Sequence, residues 1–346
     1  MWPKLIFLLC FLAVVFADND DLKDLEVTQV FRVKSGTEFG GCDNFDVNKW
    51  FSDARVLVKA AQDALSEAQQ FFDNGDKDSQ IESYLRAFFR FDPEDVSAKS
   101  TLQKMIEDIN DVDAALEFTV SGDDMPWVFC DSTFAEQKSW SSKALVEKTG
   151  APHPEGKTIK QAFPDICQEN YTKRNAALKK EKSASKRMML PREFYPFWVD
   201  DFKQYRYAEK GNYCNKAGKK NMAGTDDNMQ PNTITFCTMN WKDHKYKGLS
   251  DFPPVVEEGL SLNHFAIGGL TFLHESFHYA LLNEHTPDTA YNLEQITGSA
   301  ALDDGKIITT DQAVANPESW TMFALAWYLG SENKDFTFAS TMSKRL

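Results

Sequence analysis

The sequence predicts an α+β fold, mainly helical, with a small antiparallel sheet. Three observations predict it. Apolar residues recur at steps of three and four in long segments before residue 110 and again after residue 260. Two short runs, 127–130 and 233–241, are β-branched and aromatic, as strands are. Finally, 42% of the 346 residues are hydrophobic and 26% are charged, which is enough for a sizeable core and excludes wholesale disorder. The 17 Gly and 13 Pro exclude collagen-like and low-complexity classes. The net charge of −14 repels phosphate backbones, so no nucleic-acid partner is expected.

The chain opens Met1-Trp2-Pro3-Lys4, followed by an apolar run over 5–16. Val15 and Ala17 stand where a cleavage site needs small residues, so residues 1–17 read as a signal peptide cut after Ala17. The run is well short of the ~20 residues a spanning helix needs. No second run of that length follows. The expectation is a secreted, extracellular protein without stable membrane insertion, and a monomer. Residues 18–40 read as a lead-in or short propeptide with a strand over 25–33, and residues 41–346 as one domain.

A helical half is expected over about 46–110. Trp50, Ala54, Leu57, Ala61, Leu65, Ala68 and Phe72 form the first stripe, with Asp46 as its cap and Asn74-Gly75 as its stop. A second helix starts near Ser79 and turns Ile81, Tyr84, Leu85, Phe88 and Phe89 inward. A third opens at Pro93, a favoured first-turn residue, and turns Val96, Leu102, Met105, Ile106 and Ile109 inward. Residues 135–210 read as an insertion of loops and short helices, rich in Lys, Pro and Ser. Its run over 173–187 carries seven basic residues and reads as a solvated face. Asn170-Tyr171-Thr172 is a glycosylation acceptor.

Once Cys10 leaves with the leader, Cys42, Cys130, Cys167, Cys214 and Cys237 remain. An odd count in an oxidising compartment predicts two disulfides and one free thiol. No C-x-x-C pair exists, which argues against a cysteine zinc ribbon or a thioredoxin-type site.

Within the half over about 230–330, a helix is expected to begin near Ser261 or Asn263 and reach about Asn283. It carries His274-Glu275-Ser276-Phe277-His278, an H-E-x-x-H motif. At ~100° per residue the two histidines lie on one helix face, one turn apart, so both imidazoles can reach one Zn²⁺ at ~2.0–2.1 Å. Glu275 projects to the side, placed to act on a water at the metal. A third ligand is needed, and the candidates are His264, His285, Asp288, Glu294 and Glu318. His264 stands ten residues upstream, too far along the same helix, and His285 reads as a loop residue. Asp288 follows a turn that can fold back to the metal.

The segment Thr286-Pro287-Asp288-Thr289-Ala290-Tyr291 is T-x-D-x-x-Y shortly after H-E-x-x-H. It resembles the aspzincins, the secreted fungal metalloendopeptidases that include deuterolysin and peptidyl-Lys metalloendopeptidase. His285 and Asn292 stand where the family carries glycines. The resemblance runs in order from Gly41-Cys42, through the helices and the 234–241 strand, to Asn316-Pro317-Glu318 and Phe323-Ala324. It implies a zincin-like fold with an active-site helix, a zinc cofactor, protein or peptide substrates, Asp288 as the third ligand and Tyr291 as a catalytic aid. It also implies a Cys42–Cys130 disulfide and a second one joining Cys237 to Cys214 or Cys167. Glu318 and Thr321 fall where lysine-specific members place two pocket acids, so Glu318 is a candidate substrate-binding residue. The alternative is a catalytically silent zincin-like protein that binds zinc or a partner.

Overall fold

A computed structural model describes residues 25–74, 80–119, 121–168, 176, 194–209, 211–215, 220–227, 230–255 and 257–346. The expected signal peptide, the first part of the lead-in, Gly75, the Asn170 acceptor and the basic residues of 173–187 lie outside the described residues.

The strand expected over 25–33 is instead a helical turn, α1 (Val27–Val30), and a short strand, β1 (Arg32–Val33). Gln29 is the reason: its Oε1 accepts the Glu26 N–H at 2.7 Å and closes the turn. Helix α2 (Val47–Asn74) starts where expected, with the Asp46 side chain accepting the Lys49 N–H at 3.0 Å. Helix α3 (Gln80–Phe89) buries the five predicted residues. Helix α4 (Ala98–Glu117) begins later than Pro93, and Val96 is fully exposed rather than inward. There Asp92 spends its carboxylate on the Glu94 N–H at 3.1 Å and on Arg86 at 3.1 Å, which makes a turn and not a first helical turn.

Strands β2 (Trp127–Phe129), β3 (Ala135–Gln137), β4 (Phe194–Val199), β5 (Gln204–Glu209), β6 (Ala223–Asp226) and β7 (Thr233–Phe236) follow, with the single-turn helix α5 (Ile159–Ala162) between β3 and β4. The main sheet has the order β1-β2-β7-β6, and only β6 runs antiparallel to its neighbour. The sheet is therefore mixed, not antiparallel. Parallel neighbours need long crossovers, and α2–α4 supply the one between β1 and β2. The insertion is not merely loops: β3, β4 and β5 form an antiparallel sheet of their own. Val128 of β2 faces the helical core, while Trp127 and Phe129 pack with Phe134 and Val199 on the other side. The expected 233–241 strand stops at Phe236, and a 3₁₀ turn (Thr238–Asn240) follows.

The remaining helices are α6 (Gly268–Leu281), α7 (Leu293–Ile296), α8 (Thr310–Val314) and α9 (Pro317–Glu332), and the hairpin β8 (Phe336–Thr337) and β9 (Lys344–Arg345) closes the chain. The motif helix α6 begins later than expected, because residues Leu262–Phe265 form a separate 3₁₀ turn. Helices α2, α4, α6 and α9 pack together. The approach of α6 to α2 is close: a Cβ at Gly268 would lie 2.7 Å from the Trp50 ring, and one at Gly269 2.5 Å from the Asp53 Cβ. Disulfides join Cys42 to Cys130 and Cys214 to Cys237, and Cys167 is a free thiol. Among the described residues, no helix is long and apolar enough to cross a membrane.

Asp53 sits buried at the α2–α6 contact, where its Oδ2 accepts the Leu249 N–H at 3.3 Å. Burial pushes its pKa up to about 6. That is above the unfolded value of about 3.9, so between the two the folded chain binds more protons than the unfolded one, and stability falls as pH rises. Asp53→Asn is expected to raise unfolding free energy by about 2 kcal/mol at pH 7.5 and by little at pH 4. Urea titrations at both pH values check this, and an equal effect at both would contradict it.

Candidate metal centre

Helix α6 is buried from Gly268 to His278, so its two histidines face the interior and not solvent. Their Nε2 atoms lie 3.2 Å apart. At the end of α6, Leu282 takes a positive φ of 67° and turns the chain back. The Thr286 hydroxyl fastens that return by donating to the Leu282 carbonyl at 2.8 Å. The turn brings Asp288 Oδ1 to 3.0 Å from His274 Nε2 and 3.2 Å from His278 Nε2. The three atoms form a nearly equilateral triangle. A tetrahedral ion with bonds of ~2.0–2.1 Å holds its ligands about 3.3 Å apart, so the triangle fits zinc.

The neighbours of the two rings decide where their protons sit. His278 Nδ1 is 2.9 Å from Thr286 Oγ1, whose own proton is committed to Leu282, so the hydroxyl accepts and Nδ1 donates. His274 Nδ1 is 3.0 Å from Glu318 Oε2, which accepts. Both rings therefore turn an Nε2 lone pair toward the Asp288 carboxylate. Three lone-pair donors that face one point repel each other unless a cation lies between them. Without a metal a proton serves instead. Burial opposes charge on His274, but the hydrogen bonds to Asp288 and Glu318 outweigh it and raise its pKa to about 10. Burial also works against the Asp288 carboxylate, yet His274 and His278 hold it well below the usual range.

The Asp288 loop is clamped from α9. Asn316, fully buried, accepts the Thr289 and Ala290 N–H groups at 3.0 and 3.2 Å and donates to the Ala290 carbonyl at 3.1 Å. Glu275 is buried beside the triangle, and its Oε2 accepts from the Thr225 hydroxyl at 2.8 Å. Burial pushes the Glu275 pKa up, while His274 and His278 pull it back. The Tyr291 ring stacks on His274 with centroids 6.4 Å apart, and its hydroxyl lies in the field of the Asp288 carboxylate. Burial and that carboxylate raise the phenol's pKa. His274, His278, Asp288, Glu275, Thr225, Tyr291 and Glu318 all line one cleft of about 620 Å³.

Strand β7 is not an edge, since β2 and β6 flank it; the edge strand at the cleft is β6, and β1 is the far edge. The Cys237 N–H bonds to Met222 O at 2.8 Å, so alternation turns Gly224 toward β7 and Ala223 and Thr225 outward. Both outward carbonyls are occupied. Ala223 O accepts from the Tyr213 hydroxyl at 2.8 Å, and Thr225 O from Asn283 Nδ2 at 3.1 Å. A Cβ at Gly224 would lie 2.0 Å from the Tyr213 hydroxyl, so this position must be glycine for the phenol to rest there.

Of the sequence-predicted residues, His274, Glu275, His278, Asp288 and Tyr291 come together, and Glu318 joins them through the His274 ring. His264 lies on the 3₁₀ turn against Phe252 and Phe265, and not on α6. His285 is exposed beside Glu284, and Glu294 is exposed in α7. Among the described residues, His274, His278 and Asp288 form the group able to hold a metal. Thr225, Asn316 and Tyr213 were not foreseen in these roles. Asn316 stood in a noticed segment, while Thr225 and Tyr213 carry no local signal. Comparison of the chain with protein-family models, with curated proteins and with solved structures finds no match.

Proposed function

We propose that this chain is a secreted zinc-dependent endopeptidase of the aspzincin kind, hydrolysing internal bonds of protein or peptide substrates. One observation carries the reading: two imidazoles with outward-held protons and one aspartate converge on a point beside a buried glutamate. His274, His278 and Asp288 would hold Zn²⁺. When bound, zinc supplies Lewis acidity to a water and to the scissile carbonyl. Glu275, oriented by Thr225, accepts the proton of the attacking water and passes it to the leaving amine. Tyr291 keeps its proton at neutral pH and donates a hydrogen bond to the developing oxyanion. Glu318 and Thr286 fix the tautomers of the ligand rings. An extended substrate pairs with β6, displacing Tyr213 and Asn283 from its carbonyls.

The occupied carbonyls of β6 favour a second reading, a catalytically silent zinc-binding protein whose cleft stays closed to peptides. One purified sample distinguishes the two. The peptidase is expected to carry one zinc per chain and to cleave casein, with cleavage lost to a chelator and restored by zinc. Stoichiometric zinc without cleavage supports the silent reading, and absence of stoichiometric metal removes both.

A further inference from the structure

One cation in the cleft has no part in the chemistry above. Lys245 stands on a 3₁₀ turn (Asp243–Tyr246) and lines the cleft together with Leu270, Thr271 and Met322. Its Nζ donates to Thr271 Oγ1 at 3.0 Å and to the Ile267 carbonyl at 3.3 Å. An ammonium has three N–H donors, so one is left over. Among the described residues, no carboxylate lies within ion-pair distance of it. Glu318 acts on it only through space, and the Glu318 Oε2 is already taken by the His274 ring. Burial pushes the ammonium below the ordinary lysine pKa, a cost that an arriving carboxylate would offset.

The distance to the metal ligands is set by the helix. Thr271 precedes His274 by three residues, about 4.5 Å of rise along α6. The ammonium therefore contacts α6 about one turn before His274 and opens on the same cleft as the triangle. Leu270 and Met322, both buried, give the passage apolar walls, and the cation stands among them. Such a pocket suits a side chain with a short alkyl stem and an anionic tip.

We infer that Lys245 sets the specificity of this cleft by receiving the carboxylate of a glutamate or aspartate that flanks the peptide bond held at the metal. Glu318 taken alone would suggest a basic side chain; engaged with His274 and faced by Lys245, it does not define the pocket. The inference rests on the peptidase reading for its substrate, so the test reads binding, which does not need turnover.

The probe is a set of blocked hexapeptides of Ala and Gly in which a single Glu, Gln or Lys is moved through each position. Binding to the zinc-loaded Glu275→Gln protein is measured by calorimetry. At one position, Glu is expected to bind at least about tenfold tighter than Gln, and Lys weaker than Gln. Lys245→Met and Lys245→Gln, each added to that protein, are expected to abolish the Glu preference and leave the Gln peptide within about twofold. Equal affinity for Glu and Gln at every position, no binding of any peptide, or a preference that survives loss of Lys245 overturns the inference. The Glu–Gln comparison stands even where a Lys245 variant fails to fold. A wild-type protein that cleaves none of these peptides while the preference persists sinks the peptidase reading alone.

Discussion

Glu275→Gln is expected to keep stoichiometric zinc and to lower the rate of peptide cleavage by about 10²–10⁴-fold, the range that a positioned general base contributes. The substitution is nearly isosteric. It leaves His274, His278 and Asp288 untouched, along with the Glu318 and Thr286 contacts that orient the rings. The amide oxygen can still accept the Thr225 hydroxyl, so the side chain has reason to stay in place. What is lost is the ability to take a proton. The measurement is kcat on a quenched peptide, with metal content determined on the same preparation. Near wild-type cleavage by zinc-loaded Glu275→Gln protein would rule out the role given to this residue.

The second large effect is on the metal itself. Asp288→Ala removes a corner of the triangle, whereas Glu318→Gln removes only the carboxylate behind His274. Loss of an outer partner of this kind costs about 10–100-fold in metal affinity, and loss of a ligand costs more. A graded series is expected: wild type tightest, Glu318→Gln about 10–100-fold weaker, and Asp288→Ala weaker still, with zinc no longer raising the melting temperature. Competition with a chromophoric chelator gives the order. If Asp288→Ala bound zinc as tightly as wild type, the aspartate would not be a ligand and the centre would have been misread.

The site was more legible in this sequence than the fold around it. Helical spacing alone puts His274 and His278 on one face, because a period near 3.6 residues leaves no freedom in where i and i+4 point. Asp288 needed a chain reversal that spacing cannot supply. The sequence allowed a turn there, but the positive φ of Leu282 and the Thr286 hydroxyl that hold it had no local signal. The helices over 47–89 were readable because each buries a continuous stripe. Val96 misled, since Asp92 closes a competing turn just before it. Strands β4 and β5 are dense in aromatic residues, yet they lay inside a Lys- and Pro-rich stretch whose average composition hid them. The mixed sheet was out of reach for a different reason. Strand order depends on contacts between residues more than ninety apart, such as Trp127 with Thr233, and no local pattern encodes which strand becomes the edge.

The bridge between Cys214 and Cys237 ties the turn that bears Tyr213 to the end of β7. The bond holds Cys214, next to Tyr213, against the end of β7. On the proposed peptidase reading, admission to the cleft would be decided by single side chains, Tyr213 and Asn283 leaving their carbonyls and each forfeiting one hydrogen bond of about 1 kcal/mol. Side-chain rotations of this kind run in picoseconds to nanoseconds where they are exposed, far faster than lid motions. On that reading, a gate so light would filter by persistence: a strand that brings its own donors would win the seat, and a passing loop would not.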